Sequence, residues 1–270
     1  MLSTNAWFNL NYNPFMKRAL SIDDCFQSRD FKEMYGALEY SKDARGIAVF
    51  TSPPGSGKTC VLKAFKQSLN PNLYRMDYLC LSTVSIAEFY RQLCTVLGLA
   101  PKGGKPGMFK AIQEQIWYLY KEKHQPLILA IDESQYLNTA ILNDLKMLMN
   151  YDYDSLNCFT LILCGESYLN STLRKPVHEA LRQRITAHYE FQGLSDEEVP
   201  EYVRHKLRCA GGSEQIIDEA ALSALNSMSQ NNPRVVDNIM KDALAIAAQL
   251  EKHTIDADVI LAAVNHQSFA

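Results

Sequence analysis

A glycine-rich loop between an apolar run and a helical pattern constrains the fold of this chain more than any other feature. The apolar run IAVF at residues 47–50 leads into the loop SPPGSGKT at 52–59, and the residues after it have helical spacing. Strand, loop and helix in this order are the context that a phosphate-binding loop requires. Gly55 and Gly57 let backbone N–H groups turn toward phosphate oxygens, and the helix N-terminus adds its positive dipole. The loop therefore predicts an α/β nucleotide-binding domain.

The side chains of this loop have distinct predicted roles. Lys58 is expected to reach the β- and γ-phosphates of a bound nucleotide, and the Thr59 hydroxyl is expected to bind Mg²⁺. Ser52 stands where the usual pattern opens with glycine. An ordinary glycine-rich turn is the alternative, and a Gly-Lys-Thr triplet in this context argues against it. The residues predicted to bind the nucleotide are Pro54, Gly55, Ser56, Gly57, Lys58, Thr59 and Cys60.

A second apolar run ends in two acidic residues. The run LILAI at 127–131 is typical of a strand buried on both faces of a parallel sheet, and Asp132 and Glu133 follow it directly. Ligands bind at the carboxyl ends of such strands. Asp132 is therefore predicted to hold Mg²⁺, and Glu133 to polarise the water that attacks the γ-phosphate. Two solvated turn carboxylates are the alternative, but together with the loop at 52–59 the pair predicts nucleotide hydrolysis.

Composition limits the class of protein. The chain has 270 residues, of which 47% are hydrophobic and 21% charged, as in globular proteins. No apolar run approaches the roughly 20 residues of a membrane span, and the N-terminus lacks the pattern of a signal peptide. The seven cysteines are scattered without metal-type spacing. We therefore expect a cytoplasmic protein without membrane contact. Because the net charge is −3, any DNA contact must come from a local basic patch.

The order of the predicted elements divides the chain in three. Residues 1–46 are expected to be an N-terminal approach segment that packs on the core. Residues 47–193 alternate strands with helices, which predicts an α/β three-layer core with a parallel sheet. Residues 194–270 have helical patterns only and are expected to form a small lid domain. Ser195 and Glu198 fit a capping box at its first helix. Strands are predicted at about 47–51, 74–82, 127–131, 159–164 and 188–191, and a flexible connection at 101–107.

This plan, an α/β P-loop core followed by a helical lid, resembles that of the AAA+ ATPases. The resemblance implies two further nucleotide contacts. Arg184, just before the last strand, matches the arginine finger that reaches the γ-phosphate of a neighbouring subunit. Arg182 is its rival for that role, and a plain surface arginine is the alternative. Arg234 matches the sensor-2 arginine, which contacts the nucleotide from the lid, with an ordinary helix start as the alternative.

More closely, the chain resembles the ExeA-type ATPases. The residues that carry this resemblance are NPF at 13–15, the strand end YLCLST at 78–83, DESQYL at 132–137 and the segment 179–185. The sensor-1 position falls on Glu166 or Ser167. That family includes secretion-pathway proteins, which continue into a membrane segment and a peptidoglycan-binding domain. It also includes stand-alone transposon proteins similar in plan to TniB, TnsC and MuB. Because the sequence ends shortly after the lid, the transposon type is the expectation.

The transposon-type resemblance implies a regulator of DNA transposition. Such a protein assembles on double-stranded DNA as a ring or helical filament and stimulates a transposase. An ATPase of the general secretion pathway and a chaperone-like AAA+ module are the alternatives. Loops of the α/β domain line the pore of DNA-threading rings, so Lys102 and Lys105 are candidate DNA contacts, with Thr83 after the second strand. A solvated connecting loop is the equal alternative for the two lysines.

Overall fold

The computed structural model describes residues 3–17, 22–82 and 85–267, so the candidate DNA contact Thr83 lies outside the described residues. The chain forms two compact units. We call the first the helical unit; it comprises Met1–Lys32, Gly55–Cys60 and Gln192–Ala270. We call the second the sheet unit; it comprises Glu33–Pro54 and Val61–Phe191. The change of unit after Phe191 lies close to the boundary at 193 that the sequence predicts.

Five parallel strands form the centre of the sheet unit. The strands are β1 (Gly46–Thr51), β2 (Arg75–Cys80), β3 (Leu127–Asp132), β4 (Phe159–Gly165) and β5 (Ile185–Glu190). Their order in the sheet is β2-β3-β4-β1-β5, and every pairing is parallel. β1, β3 and β4 are buried along their whole length, as expected for central strands of a parallel sheet, whereas β2 and β5 are partly exposed edges. The predicted α/β fold class is confirmed.

Helices connect the strands and make up most of the helical unit. In chain order they are α1 (Thr4–Trp7), α2 (Arg29–Ala44), α3 (Lys58–Ser68), α4 (Ile86–Val96), α5 (Gly104–Lys121), α6 (Thr139–Leu148), α7 (Tyr168–Leu173), α8 (Glu179–Arg182), α9 (Glu198–Cys209), α10 (Glu219–Ser229), α11 (Pro233–Gln249) and α12 (Ala257–Gln267). None of these helices, within the residues that the structure describes, is long and apolar enough to cross a membrane.

The predicted flexible connection at 101–107 is shorter than the sequence suggests. α5 begins at Gly104, so Lys105 lies in its first turn rather than in a loop. Pro106 is compatible with a first helical turn, because its missing N–H needs no intrahelical partner there. Lys105 Nζ lies 2.7 Å from Asp144 Oδ2 on α6, in an ion pair. The prediction of a loop lysine at 105 is therefore wrong, whereas Lys102 precedes the helix and is exposed.

The helical unit has its own apolar core, to which the N-terminal segment contributes. The sequence predicts that this segment packs on the α/β core. In the structure, Phe8, Leu10 and Phe15 lie in the same hydrophobic cluster as the buried faces of α9, α10, α11 and α12. The capping box before α9 has the predicted reciprocal bonds. The Ser195 N–H donates to Glu198 Oε2 over 3.0 Å, and the Glu198 N–H donates to Ser195 Oγ over 3.2 Å.

Candidate functional site

The glycine-rich loop has the local conformation that the sequence predicts. β1 ends at Thr51 and α3 begins at Lys58, so the loop joins the carboxyl end of a central strand to a helix N-terminus. Gly55 and Gly57 have φ angles of +92° and +99°, which L-residues with a side chain rarely adopt. These two angles allow the backbone to turn back on itself, which is how such a loop presents several N–H groups to a phosphate.

Ser52 occupies the position where the usual pattern has its first glycine, and the structure shows why a glycine is not needed there. Its side chain is fully buried, and its N–H donates to the Gly165 carbonyl over 3.2 Å. Its φ angle is not positive, so a residue with a side chain fits this position without strain. The departure from the pattern therefore leaves the loop conformation intact.

Within the helical unit, the loop packs against the start of α11. A Cβ atom on Gly55 would lie 2.6 Å from Arg234 Cβ and 2.9 Å from Asn232 Oδ1. Asn232 caps α11, since its side chain accepts the Arg234 N–H over 2.9 Å. Arg234, the predicted sensor-2 residue, is thus beside Gly55. Gly55 is required here for close approach as well as for its φ angle.

The other predicted nucleotide contacts lie around the start of α3. Lys58 is half-buried, Thr59 is exposed, and both belong to the first turn of the helix. Pro54 is exposed and Ser56 is half-buried, before that turn. Cys60 Sγ lies 3.0 Å from Cys25 Sγ, so the N-terminal segment contacts α3 beside Thr59. This cysteine contact could not be read from two residues 35 positions apart.

Asp132 has a fixed orientation at the end of β3. Its side chain is 5% exposed; Tyr78 donates its hydroxyl to Oδ2 over 2.8 Å, and the Glu133 N–H donates to Oδ1 over 2.9 Å. Burial, followed by this bond to Asp132, raises the pKa of Tyr78 far above its ordinary value, so the phenol remains a neutral donor. Tyr78 begins the strand end that carries the family resemblance, but the sequence gives it no predicted contact; its place on β2, beside β3, could have suggested one.

Glu133 does not stand alone at this edge of the sheet. Its φ angle is +55°, and its Oε2 accepts a hydrogen bond of 2.6 Å from Gln135 Nε2. The same Gln135 side chain bonds Glu166 at the end of β4. Glu166 was a predicted sensor-1 candidate; the other, Ser167, is the N-cap residue of α7 and makes no capping bond with its side chain. The contacts of Gln135 could not be predicted, because the sequence does not show in which direction this side chain points.

A further polar network at the end of β1 was also missed. Asn170 on α7 is buried and donates from Nδ2 to Thr51 Oγ1 over 2.9 Å. Its Oδ1 lies 3.0 Å from His188 Nε2 on β5. Because an amide oxygen can only accept, His188 carries a proton on Nε2 in this bond. The network fixes α7 against two neighbouring strands, just before the phosphate-binding loop begins.

The two candidate finger arginines differ in what their guanidinium groups contact. Arg182 donates from Nη1 to the carbonyls of Leu173 and Lys175, over 2.9 and 3.0 Å, and so closes the turn between α7 and α8. Arg184 pairs with the half-exposed Asp154 carboxylate instead. Breaking one solvent-exposed ion pair costs little, whereas freeing Arg182 would leave two carbonyls without their donor. The guanidinium group of Arg184 is therefore the less constrained of the two.

His178 is a buried titratable residue that lies directly before α8. It is 1% exposed, and among the described residues neither ring nitrogen has a hydrogen-bond partner. Burial, and then the charges of Lys175 and Arg182, lower the pKa of His178 below its ordinary value of 6.5. Protonation of the folded protein at this residue is therefore unfavourable.

This burial predicts an acid-sensitive stability. Below about pH 6.5 the unfolded chain binds a proton at His178 that the folded chain does not, so the free energy of unfolding should fall as the pH drops. Because His178 binds at most one proton, it can change the free energy of unfolding by no more than about 1.4 kcal/mol per pH unit. Urea unfolding between about pH 7.5 and 5.5 should show a smaller slope for His178→Phe than for wild type, with His266→Gln on the exposed end of α12 as the control. Equal slopes for His178→Phe and wild type would contradict the assignment.

The site residues fit Mg²⁺ as a nucleotide-bound ion rather than as a ready-made metal centre. In the described part of the chain, no three His, Cys, Asp or Glu side chains cluster as a metal site. Mg²⁺ typically takes one or two carboxylates together with waters and substrate phosphates. Asp132 offers one carboxylate, oriented by two donors, and Thr59 offers a hydroxyl. Each group, taken within its own unit, is an oxygen ligand of the kind that Mg²⁺ accepts together with nucleotide phosphates.

Comparisons with known proteins agree with this architecture. The AAA domain family matches residues 41–173. General secretion pathway protein A of Aeromonas hydrophila is 29% identical over 242 residues, which are 88% of this chain but 44% of that protein. Cdc6p of Pyrobaculum aerophilum has a TM-score of 0.67 at 15% identity, covering 93% of this chain and 68% of that one. The Aeropyrum pernix ORC1 protein, solved in complex with DNA, has a TM-score of 0.66 at 12% identity, covering 91% and 66%.

The phosphate-binding loop after β1, the acidic pair after β3, the parallel strand order and these similarities all lead to one fold. This chain has the AAA+ fold, an α/β P-loop domain with a parallel sheet, followed along the chain by a helical region.

Proposed function

We propose that this chain binds ATP together with Mg²⁺ and hydrolyses it. The observation that carries the proposal is the conformation of the loop at residues 52–59, with Gly55 and Gly57 in the left-handed region before a helix N-terminus. Asp132 and Glu133 support it, because they follow a parallel strand of the same sheet as β1, at the edge where such sheets bind ligands.

Each residue has one role in the proposed reaction. The loop N–H groups and Lys58 hold the phosphates, and Thr59 with Asp132 holds the ion, which neutralises charge that develops on the phosphate oxygens. Glu133 accepts a proton from the attacking water and orients it. Arg234 contacts the nucleotide from α11, and Arg184 reaches the γ-phosphate bound by a neighbouring subunit. Hydrolysis therefore depends on self-assembly.

We further propose that the protein assembles on double-stranded DNA in the ATP-bound state, as a ring or helical filament, and regulates DNA transposition by activating a transposase. The support is the resemblance to transposon ATPases and the likeness of the fold to a protein solved with DNA, ORC1. The alternative is an ATPase of the general secretion pathway, which the Aeromonas relative favours. ATP-dependent DNA binding is the property that separates the two.

Of the two lysines, Lys102 is the better one to test for DNA contact. Lys102 is exposed before α5, whereas Lys105 pairs with Asp144 and lies over the Tyr90 ring. With a slowly hydrolysed ATP analogue, Lys102→Ala should weaken binding to all DNA sequences about equally, because phosphate contacts carry little sequence information. Lys105→Ala should weaken it less, and the exposed Lys110→Ala on α5 is the matched control.

Titration of labelled DNA at two salt concentrations measures this prediction. Wild-type affinity should fall steeply as salt rises, and the salt dependence should be smaller for Lys102→Ala. If Lys102→Ala bound DNA as tightly as the wild type, the segment before α5 would only connect two helices and would not contact DNA. No DNA binding by the wild type at low salt, with the analogue present, would contradict the transposition proposal and favour the secretion alternative.

A further inference from the structure

The side chain of Gln135 joins two carboxylates at neighbouring strand ends. It is 5% exposed and lies in the short 3₁₀ turn Ser134–Tyr136 after β3. Its Nε2 lies 2.6 Å from Glu133 Oε2 and 3.4 Å from Glu166 Oε1. Its Oε1 accepts the Glu166 N–H over 3.1 Å. One amide therefore bonds the acidic residue after β3 and the first residue after β4.

The orientation of this amide follows from its partners. A backbone N–H can only donate, so the atom that it meets on Gln135 must be the oxygen. The two hydrogens of the amide nitrogen then face Glu133 and Glu166, whose ionised carboxylates can only accept. The reversed orientation would place an oxygen against Glu133 and a nitrogen against an N–H. The amide thus donates to Glu133 in the arrangement that satisfies all of its partners.

The surroundings leave Gln135 little freedom. A Cβ atom on Gly165 would lie 2.9 Å from Gln135 Oε1, so residue 165 must be small for the amide to reach β4. Tyr168 on α7 donates its hydroxyl to the Gln135 carbonyl over 2.6 Å. Glu133, in turn, has a left-handed backbone conformation, which persists in a residue of this type only when its surroundings hold it.

We propose that Gln135 is a positioning residue, which holds the Glu133 carboxylate in place for catalysis and ties it to the end of β4. If the amide hydrogens of Gln135 are removed, no donor remains between the carboxylates of Glu133 and Glu166. The Glu133 carboxylate then turns away from its working position. Because the Gln135 amide bonds Glu133 and Glu166, its loss should slow the chemical step and leave nucleotide affinity unchanged. The inference rests on the proposed ATP hydrolysis with Glu133 as base.

The test is Gln135→Met, which keeps the length of the side chain and removes both hydrogen-bonding groups. Losing a hydrogen bond to a charged group corresponds to about a 10- to 100-fold fall in kcat. The dissociation constant of a fluorescent ATP analogue should stay at the wild-type value. Gln113→Met on α5 is the control, because that glutamine also bonds with its amide, to the Met147 carbonyl, but contacts neither carboxylate.

A double mutant separates positioning from a general structural effect. If Gln135 acts through Glu133, then adding Gln135→Met to Glu133→Gln should cause no further loss of turnover. If thermal melting shows that Gln135→Met does not fold, Gln135→Glu is the second variant. It should also lower kcat, because it adds a third carboxylate. Full kcat in either folded variant, or an additional loss in the double mutant, would overturn the proposal.

Hydrogen exchange in nucleotide-free protein gives a readout that does not depend on hydrolysis. The Glu166 amide loses its acceptor in Gln135→Met, so the peptide that contains it should exchange faster than in wild type, and Gln113→Met should not change it. If the hydrogen-exchange rate of this peptide were unchanged in Gln135→Met, the bond between the Glu166 N–H and Gln135 Oε1 would be contradicted. If the wild type does not hydrolyse ATP at all, the proposed function fails while this exchange result still reports on Gln135.

Discussion

Arg184→Ala is expected to bind ATP as well as the wild type and to lose ATP hydrolysis by about 10³-fold or more. The planar guanidinium spreads positive charge over the γ-phosphate oxygens as the bond breaks, and alanine has nothing to replace it. In the proposed arrangement Arg184 contacts the nucleotide of a neighbouring subunit, so the isolated subunit should keep its own affinity for nucleotide. Equilibrium binding of a fluorescent ATP analogue and steady-state phosphate release measure the two halves of this prediction.

Mixing variants tests whether Arg184 acts on a neighbour. In a mixture with Lys58→Ala subunits, Arg184→Ala should regain part of the activity, since one variant supplies the intact nucleotide site and the other supplies the arginine. Arg174→Ala is the matched control, because Arg174 is an exposed arginine at the end of α7. The absence of complementation would mean that Arg184 acts within its own subunit or has no role in hydrolysis.

Glu133→Gln is expected to bind ATP and Mg²⁺ normally and to hydrolyse ATP on the order of 10²- to 10⁴-fold more slowly. The amide is nearly isosteric with the carboxylate, but it cannot accept a proton from the attacking water. The variant should therefore accumulate in the ATP-bound state and, if the DNA proposal is correct, remain assembled on DNA for longer than the wild type.

Single-turnover hydrolysis in the presence of excess protein separates the chemical step of Glu133→Gln from product release. Lys58→Ala provides the contrast, since it should fail at the earlier step of binding. If Glu133→Gln turned over at the wild-type rate, another group would have to activate the water, and Glu166 would be the first residue to examine because Gln135 connects the two.

The parts of the site that depend on local sequence could be predicted. Gly55 and Gly57 reveal a left-handed turn because few other residues adopt that backbone conformation without strain. The run that ends in Asp132 reveals a central parallel strand because both of its faces are apolar. In each case a short stretch of chain contains its own physical reason, so the fold class and the strand limits near the loop follow from the sequence.

The parts that depend on side chains meeting across strands could not be predicted. Gln135 reaches Glu166 and Tyr78 reaches Asp132 because neighbouring strands place them together, and each partner is 31 or 54 positions away along the chain. Lys105 is a different case: the proline beside it fits a helix start, but the surrounding glycines favoured a loop. Long-range contacts of single polar side chains leave no periodic signal in a sequence.

The most direct test of the central claim is phosphate release from ATP by the wild-type protein, with Mg²⁺ and with a chelator, beside Lys58→Ala. The account predicts hydrolysis that requires Mg²⁺, rises more than linearly with protein concentration because the finger comes from a second subunit, and disappears in Lys58→Ala. Phosphate release that is equal for wild type and Lys58→Ala, or absent from the wild type at every protein concentration with and without DNA, would contradict it.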